Sequence, residues 1–390
     1  MSAKLESETL YSVFLRMVKN IIAILIFCTL MIGCNKKTSI AQSPPVVSPG
    51  TSLIYRGGDL SFLPEIETTP TTFYNSTGVA QDALTILKNS GMNLVRLRLW
   101  HTPSNNNSSQ AQVETFAQRL KTAGIGWWLD FHYSDTWADP GNQTIPVAWQ
   151  TLSYSLLLDS VYNYTYKVMN SLKTKNCLPA IVQIGNETNS GMLWNIGKVG
   201  GAFDSNWPQY AGLIKKGIEA VKAVDPSIKI MLHFAGTNGA PWFFSNIQTQ
   251  GVNYDIMGIS YYHWWHGRNL SELQTDLTAL ANTFNKDILI AETAYPFTLT
   301  WNDMTTNIFG SAIPLLPGYD ATPAGQQNFL TDLKKVLLNV PNNHGLGFCY
   351  WAPDWVAFRG GAATNGSPWE NLALFDFTNK ALPALSTFAQ

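Results

Sequence analysis

Short apolar runs rich in β-branched residues alternate with longer amphipathic stretches along most of this 390-residue chain. Runs of four to eight such residues are typical of buried strands, whereas apolar residues repeating every three to four positions are typical of helices. The alternation predicts eight strands, at Ile54–Asp59, Asn93–Leu99, Gly126–Phe131, Ala180–Gly185, Ile228–His233, Tyr254–Tyr261, Asp287–Ala291 and Gly345–Trp351. It predicts six helices between them, at Val79–Ser90, Gln110–Thr122, Tyr154–Leu172, Gln209–Val224, Ser271–Phe284 and Gly325–Leu338.

This alternation, which continues over about 340 residues, predicts an α/β fold with a single (β/α)8 barrel, also called a TIM barrel, in residues 53–390. A doubly wound sheet would instead place a glycine-rich phosphate loop directly after the first strand. Gly57-Gly58-Asp59 lacks the G-x-G-x-x-G spacing, and no helix begins directly behind it. The sequence therefore favours the barrel.

Reactive side chains of such barrels lie at the carboxyl ends of the strands. In this chain, charged, amide and aromatic residues occupy these positions after nearly every predicted strand: Asp59, Trp100, Asp130, His132, Asn186, Glu187, His233, Tyr261, His263, Glu292 and Trp351. The sequence thus predicts a polar and aromatic cleft at one end of the barrel.

Two of these residues are glutamates, Glu187 after the fourth strand and Glu292 after the seventh. A single glutamate in such a position is more often a loop residue or the first acid of a helix than a catalyst. Two carboxyls that face one cleft suit glycosidic hydrolysis, because one donates a proton to the leaving oxygen and the other stabilises or captures the oxocarbenium ion. The residues alone leave open which carboxyl has which role and how far apart they lie.

Arg96 lies within an apolar strand, where an unpaired guanidinium is costly. We expect it to form a structural salt bridge, or more specifically to hold Glu292 or orient Asn186. The histidines after the strands lack a metal-ligand spacing with carboxylates, so they are interpreted as hydrogen-bond donors to a sugar or a glutamate, and no metal site is predicted. The tryptophans near the strand ends are interpreted as sugar-stacking platforms or as core residues: Trp137, Trp264, Trp265 and Trp351.

The net charge of −1 makes nucleic acid a poor partner, since phosphate binding needs clustered Lys and Arg. The 14 Trp, 15 Tyr and 19 Phe suit a polysaccharide, because flat rings stack on sugars as well as filling cores. We expect a monomer. Outside the N-terminal segment the chain has two cysteines, Cys177 and Cys349, which are expected to be buried free thiols rather than one disulfide.

Residues 1–33 predict an export signal, with a basic stretch after Met17, an apolar run over Ile21–Ile32 and then Gly33. The apolar run is too short to span a bilayer. Its ending, Met31-Ile32-Gly33-Cys34, resembles a bacterial lipobox, which implies that Cys34 is lipidated. The alternative is a secreted protein cut nearby. Residues 34–52 are rich in Pro and Ser and suit a flexible tether, so we expect an exported, outer-membrane lipoprotein that faces the periplasm or the cell surface.

Five motifs in order resemble glycoside hydrolase family 53, the arabinogalactan endo-β-1,4-galactanases: Leu129–Gly141 (LDFHYSDTWADPG), Gln183–Trp194 (QIGNETNSGMLW), Gly258–Gly267 (GISYYHWWHG), Ile290–Pro296 (IAETAYP) and Trp369–Phe377 (WENLALFDF). The resemblance implies a clan A barrel and a retaining endo-glycosidase that cleaves galactan side chains of pectin. It implies that Glu187 is the proton donor and base and that Glu292 is the nucleophile. The substrate-binding positions that it implies are Asn186, Arg96, Asp59, Asp130, His132, Asp135, Trp137, Tyr261, His263 and Trp351.

The chain departs from the family at the eighth strand, where the common YWEPAW reads Tyr350-Trp351-Ala352-Pro353-Asp354-Trp355 and lacks a carboxylate at Ala352. Some bacterial relatives hold a calcium ion in a late barrel loop. No Asp-rich loop between strands seven and eight demands one here, so no cofactor is expected to be required and structural calcium stays open. Two alternatives also stay open, a clan A mannanase or cellulase and a surface glycan-binding lipoprotein without catalysis.

Overall fold

The computed structural model describes residues 52–389, in which eight parallel strands close into a barrel in chain order. The strands are β1 Tyr55–Asp59, β2 Leu94–Leu99, β3 Gly126–Phe131, β4 Ile181–Ile184, β5 Lys229–Ala235, β6 Ile256–Tyr261, β7 Asp287–Thr293 and β8 Gly345–Trp351. β1 pairs with both β2 and β8, which closes the sheet. The predicted (β/α)8 fold is confirmed, and every strand lies within two residues of its predicted bounds.

The described residues contain nine α-helices: α1 Leu63–Ile66, α2 Ala83–Asn89, α3 Gln110–Ala123, α4 Tyr154–Thr174, α5 Trp207–Val224, α6 Ala240–Thr249, α7 His263–His266, α8 Leu270–Phe284 and α9 Pro323–Leu338. Six of them correspond to the predicted helices. The first begins later than predicted, at Ala83, because the Asp82 side chain caps it by accepting from the Thr85 amide at 2.8 Å. None of these helices is both long and apolar enough to cross a bilayer.

Three helices were missed, and each has a local reason. α1 and α7 are single turns of four residues, too short to show a helical period. α6 reads APWFFSNIQT, in which aromatic residues, Asn and Thr are weak helix formers. Burial of Phe243 and Phe244 against the rest of the core stabilises it in spite of that composition.

The barrel has two apolar layers. Inward-facing residues of the strands fill its interior, including Leu94, Trp128, Ile181, Met231 and Leu289. A larger cluster joins the outward strand faces to the helices. Cys177 and Cys349 are buried free thiols, as predicted, and Cys349 belongs to the interior layer.

The pairing of β6 with β7 shifts register between Ile259 and Ser260, so that Ser260 lies opposite Glu292. Such irregularities re-aim side chains and are common beside active sites. The shift thus sets the direction of Glu292 at the carboxyl end of β7. The predicted signal, Cys34 and the tether up to residue 51 lie outside the described residues.

Candidate active site

A cavity of about 560 Å³ opens at the carboxyl ends of the strands. It is lined by nine of the residues predicted for the site: Asp59, Arg96, Asp130, His132, Trp137, Asn186, Glu187, Glu292 and Trp351. Other lining residues include Arg98, Asp139, Tyr262, Trp265, His266, Trp355 and Trp369. The barrel therefore brings most of the predicted residues into one space.

Arg96 lies at the floor of this cavity with only 1% of its surface exposed. Its Nη1 donates to Glu292 Oε1 at 2.6 Å and lies 3.2 Å from Asp59 Oδ2. Its Nη2 donates to Asp130 Oδ2 at 2.8 Å and to Asn186 Oδ1 at 2.7 Å. Arg96 therefore holds Glu292 and orients Asn186 at the same time, so that both of the specific expectations for it are met.

Glu187 follows β4 across a tight turn. Gly185 has a φ of 83° and Glu187 itself a φ of 44°, in the left-handed region that residues with a side chain rarely adopt. Strained backbone of this kind is concentrated at functional sites, where the surrounding structure enforces it. The turn brings the carboxyl of Glu187 into the cavity, where its Oε1 accepts a hydrogen bond from Ser260 Oγ at 2.5 Å.

The two glutamates lie close together in different electrostatic surroundings. An oxygen of Glu187 and an oxygen of Glu292 lie within 4.8 Å of each other. Burial and the charge of Glu292 raise the pKa of Glu187 to about 8. Burial also raises the pKa of Glu292, but Arg96 opposes this by contacting the carboxylate directly. Glu187 is thus the carboxyl that keeps a proton near neutral pH, and Glu292 is the ionised one.

Glu292 has a second donor, the Tyr262 hydroxyl, at 3.0 Å from its Oε2. Together with Arg96 Nη1 at Oε1, this fixes both carboxylate oxygens. Hydrogen bonds to the ionised form favour that form over the neutral acid. The geometry therefore presents Glu292 as an oriented anion.

His132 holds Asp130, the aspartate that accepts from Arg96 Nη2. Its Nδ1 accepts from the Ala138 amide at 3.2 Å and from Trp100 Nε1 at 3.3 Å, which leaves Nε2 to donate to Asp130 Oδ2 at 2.9 Å. The interpretation of His132 as a donor to a sugar or a glutamate is thus replaced by donation to an aspartate.

Aromatic rings form the other walls. Trp137 and Trp265 are 37% and 55% exposed, so their faces are open to a ligand. Trp351 is partly buried and packs edge-on against Trp369, with 4.6 Å between the ring centroids. Partly exposed indole faces beside carboxyls suit the apolar faces and hydroxyls of a sugar chain.

Three predicted substrate-binding residues do not line the cavity. Tyr261 points outward, where its hydroxyl donates to the Arg268 carbonyl at 2.7 Å and its ring stacks on Phe329 of α9. His263 pairs through Nε2 with the Pro314 carbonyl at 3.0 Å. Asp135 accepts from the Thr102 and Val147 amides, both at 2.9 Å, and so fastens two loops. These residues have structural contacts instead of positions in the cleft.

The structure also shows site residues that the sequence prediction missed: Tyr262 lines the cavity, and Ser260 is buried but contacts the cavity residue Glu187. Successive strand side chains point to opposite faces, so choosing Tyr261 placed the prediction on the wrong face. The signal that could have found the right face is the alternation Gly258-x-Ser260-x-Tyr262 around the outward Ile259 and Tyr261. Trp369 lies in a loop far along the chain and carries no such periodic signal.

A second polar cluster lies in the loops after β7 and β8. Asp303 and Glu370 are 6% and 1% exposed, and neither forms a salt bridge within residues 52–389. Glu370 Oε2, Asn307 Oδ1 and Asn371 Oδ1 have no hydrogen-bond partner in that part of the chain. Burial and the nearby Asp303 raise the pKa of Glu370. Backbone amides donate to Glu370 Oε1 and to both Asp303 oxygens, but no cationic side chain of the described residues pairs with either carboxylate. Buried carboxylate and amide oxygens are the ligands that a hard cation such as calcium prefers.

The two cavity glutamates and the completely buried His233 also have ligand-type atoms within 4.8 Å of one another. His233 already has hydrogen-bond partners at both ring nitrogens, with Ser260 Oγ at Nε2 and the Asn186 and Gln183 side chains at Nδ1. Because both ring nitrogens of His233 are engaged, His233 is a hydrogen-bonding residue in this arrangement rather than a metal ligand.

Comparison with known proteins gives consistent matches. The family model described as Glycosyl hydrolase family 53 matches residues 55–388. The chain is 36% identical over 375 residues to an arabinogalactan endo-β-1,4-galactanase of Cellvibrio japonicus, covering 94% of this chain and 96% of that protein. A solved family 53 catalytic domain of Ignisphaera aggregans matches with a TM-score of 0.82 and 39% identity, over 88% of this chain and 99% of that one. A structure of fungal β-1,4-galactanases matches with a TM-score of 0.75 and 32% identity, over 86% and 99%.

The coupling between the two glutamates predicts a specific change in ionisation. Glu292→Gln should lower the pKa of Glu187 from about 8 toward its ordinary value, because the charge of Glu292 is the largest raising influence after burial. Carbon-13 NMR titration of labelled glutamate carboxyls measures this shift. Asp139→Asn is the matched control and should produce a smaller decrease, since Asp139 is a weaker influence. An unchanged Glu187 titration in Glu292→Gln would contradict the coupling.

Proposed function

This chain belongs to glycosyl hydrolase family 53, and from that membership we propose that it is an endo-β-1,4-galactanase acting on the galactan side chains of pectic arabinogalactan. The observation that carries the proposal is the pair of carboxyls of Glu187, after β4, and Glu292, on β7, with oxygens within 4.8 Å of each other in one cavity. Retaining glycosidases place their two carboxyl groups about 5–5.5 Å apart, and inverting enzymes about 6.5–9.5 Å apart. The close separation supports retention.

In the first step, Glu292 attacks the anomeric carbon while Glu187 transfers its proton to the glycosidic oxygen. The bond between the anomeric carbon and that oxygen breaks, the leaving sugar departs with the proton, and a galactosyl ester forms on Glu292. The raised pKa of Glu187 supports the donor role, because the acid is still protonated at neutral pH. Arg96 and Tyr262 orient Glu292 for attack.

In the second step, Glu187 is ionised and removes a proton from water. The resulting hydroxide displaces Glu292 from the anomeric carbon, which releases the sugar with its original configuration and restores both carboxyls. These two residues supply the acid, the base and the nucleophile, so the proposed chemistry needs no cofactor. Asn186, which also lines the cavity, is proposed to hold the 2-hydroxyl of the sugar at the cleavage point, with Trp351 beneath that sugar.

We further propose that the cluster of Asp303, Asn307 and Glu370 holds a structural calcium ion. The support is chemical, since two buried carboxyls lie together without a cationic side chain and several of the surrounding oxygens lack a partner. A cation there would join the loop after β7 to the loop after β8. It lies outside the catalytic cavity and enters no step of the reaction.

For the N-terminus we propose an export signal followed by lipidation at Cys34, with the barrel held at the outer membrane as a monomer by the tether of residues 34–52. The support is the basic stretch, the short apolar run and Gly33-Cys34. One lipid-modified cysteine followed by a Pro- and Ser-rich segment would tether the catalytic domain to the membrane.

Digestion of linear β-1,4-galactan tests the enzymatic proposal. The protein should release galacto-oligosaccharides that first appear as the β-anomer by proton NMR, because two displacements retain configuration. Glu187→Ala should lower the rate about 10²–10⁴-fold, the usual contribution of general acid and base catalysis. Glu292→Ala should abolish turnover because the ester cannot form. The exposed Glu219→Ala is the matched control and should retain full activity.

Two outcomes would favour other functions. Cleavage of mannan or cellulose without cleavage of galactan would identify another clan A endo-glycosidase. Binding of galactan without turnover by the unmutated protein would identify a surface glycan-binding protein.

Thermal unfolding tests the calcium proposal without reference to activity. The melting temperature should rise with added calcium and fall after chelation with EGTA, because a ligand that binds only the folded state stabilises it. Asp303→Asn should remove this calcium dependence, whereas the exposed Asp159→Asn should keep it. Identical melting curves of the unmutated protein in calcium and in EGTA would refute the site.

Detergent partition tests the anchor. The full chain expressed in a bacterial host should enter the detergent phase of Triton X-114 and incorporate labelled palmitate. Cys34→Ala should remain in the aqueous phase, whereas Cys28→Ala, a change within the apolar signal, should partition like the unmutated chain. An unmutated protein that stays in the aqueous phase would support ordinary secretion.

A further inference from the structure

Ser260 connects the proposed proton donor to a buried histidine. Its Oγ lies 2.5 Å from Glu187 Oε1 and 2.9 Å from His233 Nε2. Ser260 and His233 are both completely buried. Two residues further along, on the same face, Tyr262 contacts Glu292, so this segment contacts both glutamates.

The serine hydroxyl has one proton, so the chain of hydrogen bonds can run in two directions. In the first, Glu187 donates to Ser260 and Ser260 donates to His233 Nε2. In the second, His233 Nε2–H donates to Ser260 and Ser260 donates to Glu187 Oε1. The direction depends on which ring nitrogen of His233 carries the proton.

The surroundings of His233 Nδ1 favour the second direction. Two N–H groups approach this nitrogen, Gln183 Nε2 at 3.0 Å and the Glu187 amide at 3.3 Å. Asn186 Oδ1 also lies 2.9 Å away, but its two lone pairs already accept from Arg96 Nη2 at 2.7 Å and from Gln183 Nε2 at 3.1 Å. Nδ1 therefore acts as the acceptor for two donors, which leaves the ring proton on Nε2. Burial and the nearby Arg96 also lower the pKa of His233, so the ring stays neutral.

We propose that His233 and Ser260 are positioning residues that reserve Glu187 Oε1 as a hydrogen-bond acceptor, so that the catalytic proton is carried by Oε2. The proposal rests on the proton-donor role proposed for Glu187 above. In this arrangement the acid proton of Glu187 is on Oε2 alone, the oxygen that does not contact Ser260 of β6. The hydrogen bond from Ser260 also stabilises the negative charge of the Glu187 carboxylate once the proton has left.

Substitution of Ser260 by alanine separates the two directions. Under the proposal, Ser260→Ala removes a donor to the Glu187 carboxylate and so raises its pKa. Activity that needs protonated Glu187 is lost as pH rises through this pKa, so the alkaline limb of kcat/KM should move to higher pH, by about one unit for a hydrogen bond to a charged group. The opposite direction of the chain predicts a move to lower pH, because Glu187 would lose an acceptor for its proton.

Thr165→Val is the matched control for loss of a buried hydroxyl. Thr165 is completely buried and bonds to the Tyr133 hydroxyl at 2.8 Å on the outer side of the barrel. This variant should keep the alkaline limb of the unmutated enzyme even where it lowers the melting temperature. A limb that moves equally in both variants would show a structural effect and would overturn the proposal.

Leaving-group dependence gives a second readout. Ser260→Ala should lower kcat/KM for galactan, whose leaving sugar needs a proton, more than for a dinitrophenyl β-galactobioside, whose phenolate leaves without one. Equal losses on both substrates would overturn the positioning role. Nitrogen-15 NMR of labelled histidine should also find His233 neutral with its proton on Nε2, and a proton on Nδ1 would reject the proposed direction.

These outcomes are distinguishable from failure of the enzymatic proposal. If the unmutated protein does not cleave galactan, the function is wrong. If it cleaves galactan and the alkaline limb of Ser260→Ala stays in place or moves down, only the present inference is wrong.

Discussion

The buried guanidinium of Arg96 is the interaction on which the site depends. It contacts Asp59 of β1, Asp130 of β3, Asn186 after β4 and Glu292 of β7. A completely buried cation is tolerated only when several anionic or polar groups surround it. These four groups come from strands that are distant in sequence, so the charge of Arg96 is satisfied only when the barrel is closed. The electrostatics of the site and the closure of the fold are therefore coupled.

Arg96 also makes the two glutamates unequal. It contacts Glu292 directly but has no contact with Glu187, whose hydrogen-bond donor is the neutral Ser260 hydroxyl. Two carboxyls this close cannot both be ionised at low cost, so the proton stays on the one without a cation. One fixed positive charge thus divides two chemically identical side chains into an acid and an anion. The assignment that the resemblance implied, with Glu187 as donor and Glu292 as nucleophile, agrees with this physical division.

The sequence predicted the barrel because apolar strands and amphipathic helices leave strong periodic signals, and it predicted the cleft because strand ends share one rim. Side-chain direction was less predictable. Tyr261 and Tyr262 are adjacent and chemically identical, but only Tyr262 contacts Glu292. The register shift between Ile259 and Ser260 places Ser260 opposite Glu292. His263 was assigned to the cleft as a continuation of the strand, whereas it begins the short helix α7 and packs on the Pro314 loop. The cluster around Asp303 and Glu370 joins loops 67 residues apart, a proximity that no local pattern encodes.

Arg98 shows how a second arginine on the same strand is accommodated without disturbing the first. Within residues 52–389 it has no salt bridge, and burial lowers its pKa to about 10. Its guanidinium instead lies 4.2 Å from the ring centres of both Phe62 and Trp137 and donates to Ser108 Oγ at 2.9 Å. Aromatic faces attract a cation without supplying a counter-charge. Asp59 and Asp130 consequently remain partners of Arg96, and the ring that stabilises Arg98 is also a partly exposed wall of the cavity. Because Arg98 contacts Trp137 and Phe62 instead of competing for Asp59 and Asp130, these rings help to preserve the ion pairs of Arg96, which in turn keeps Glu292 ionised.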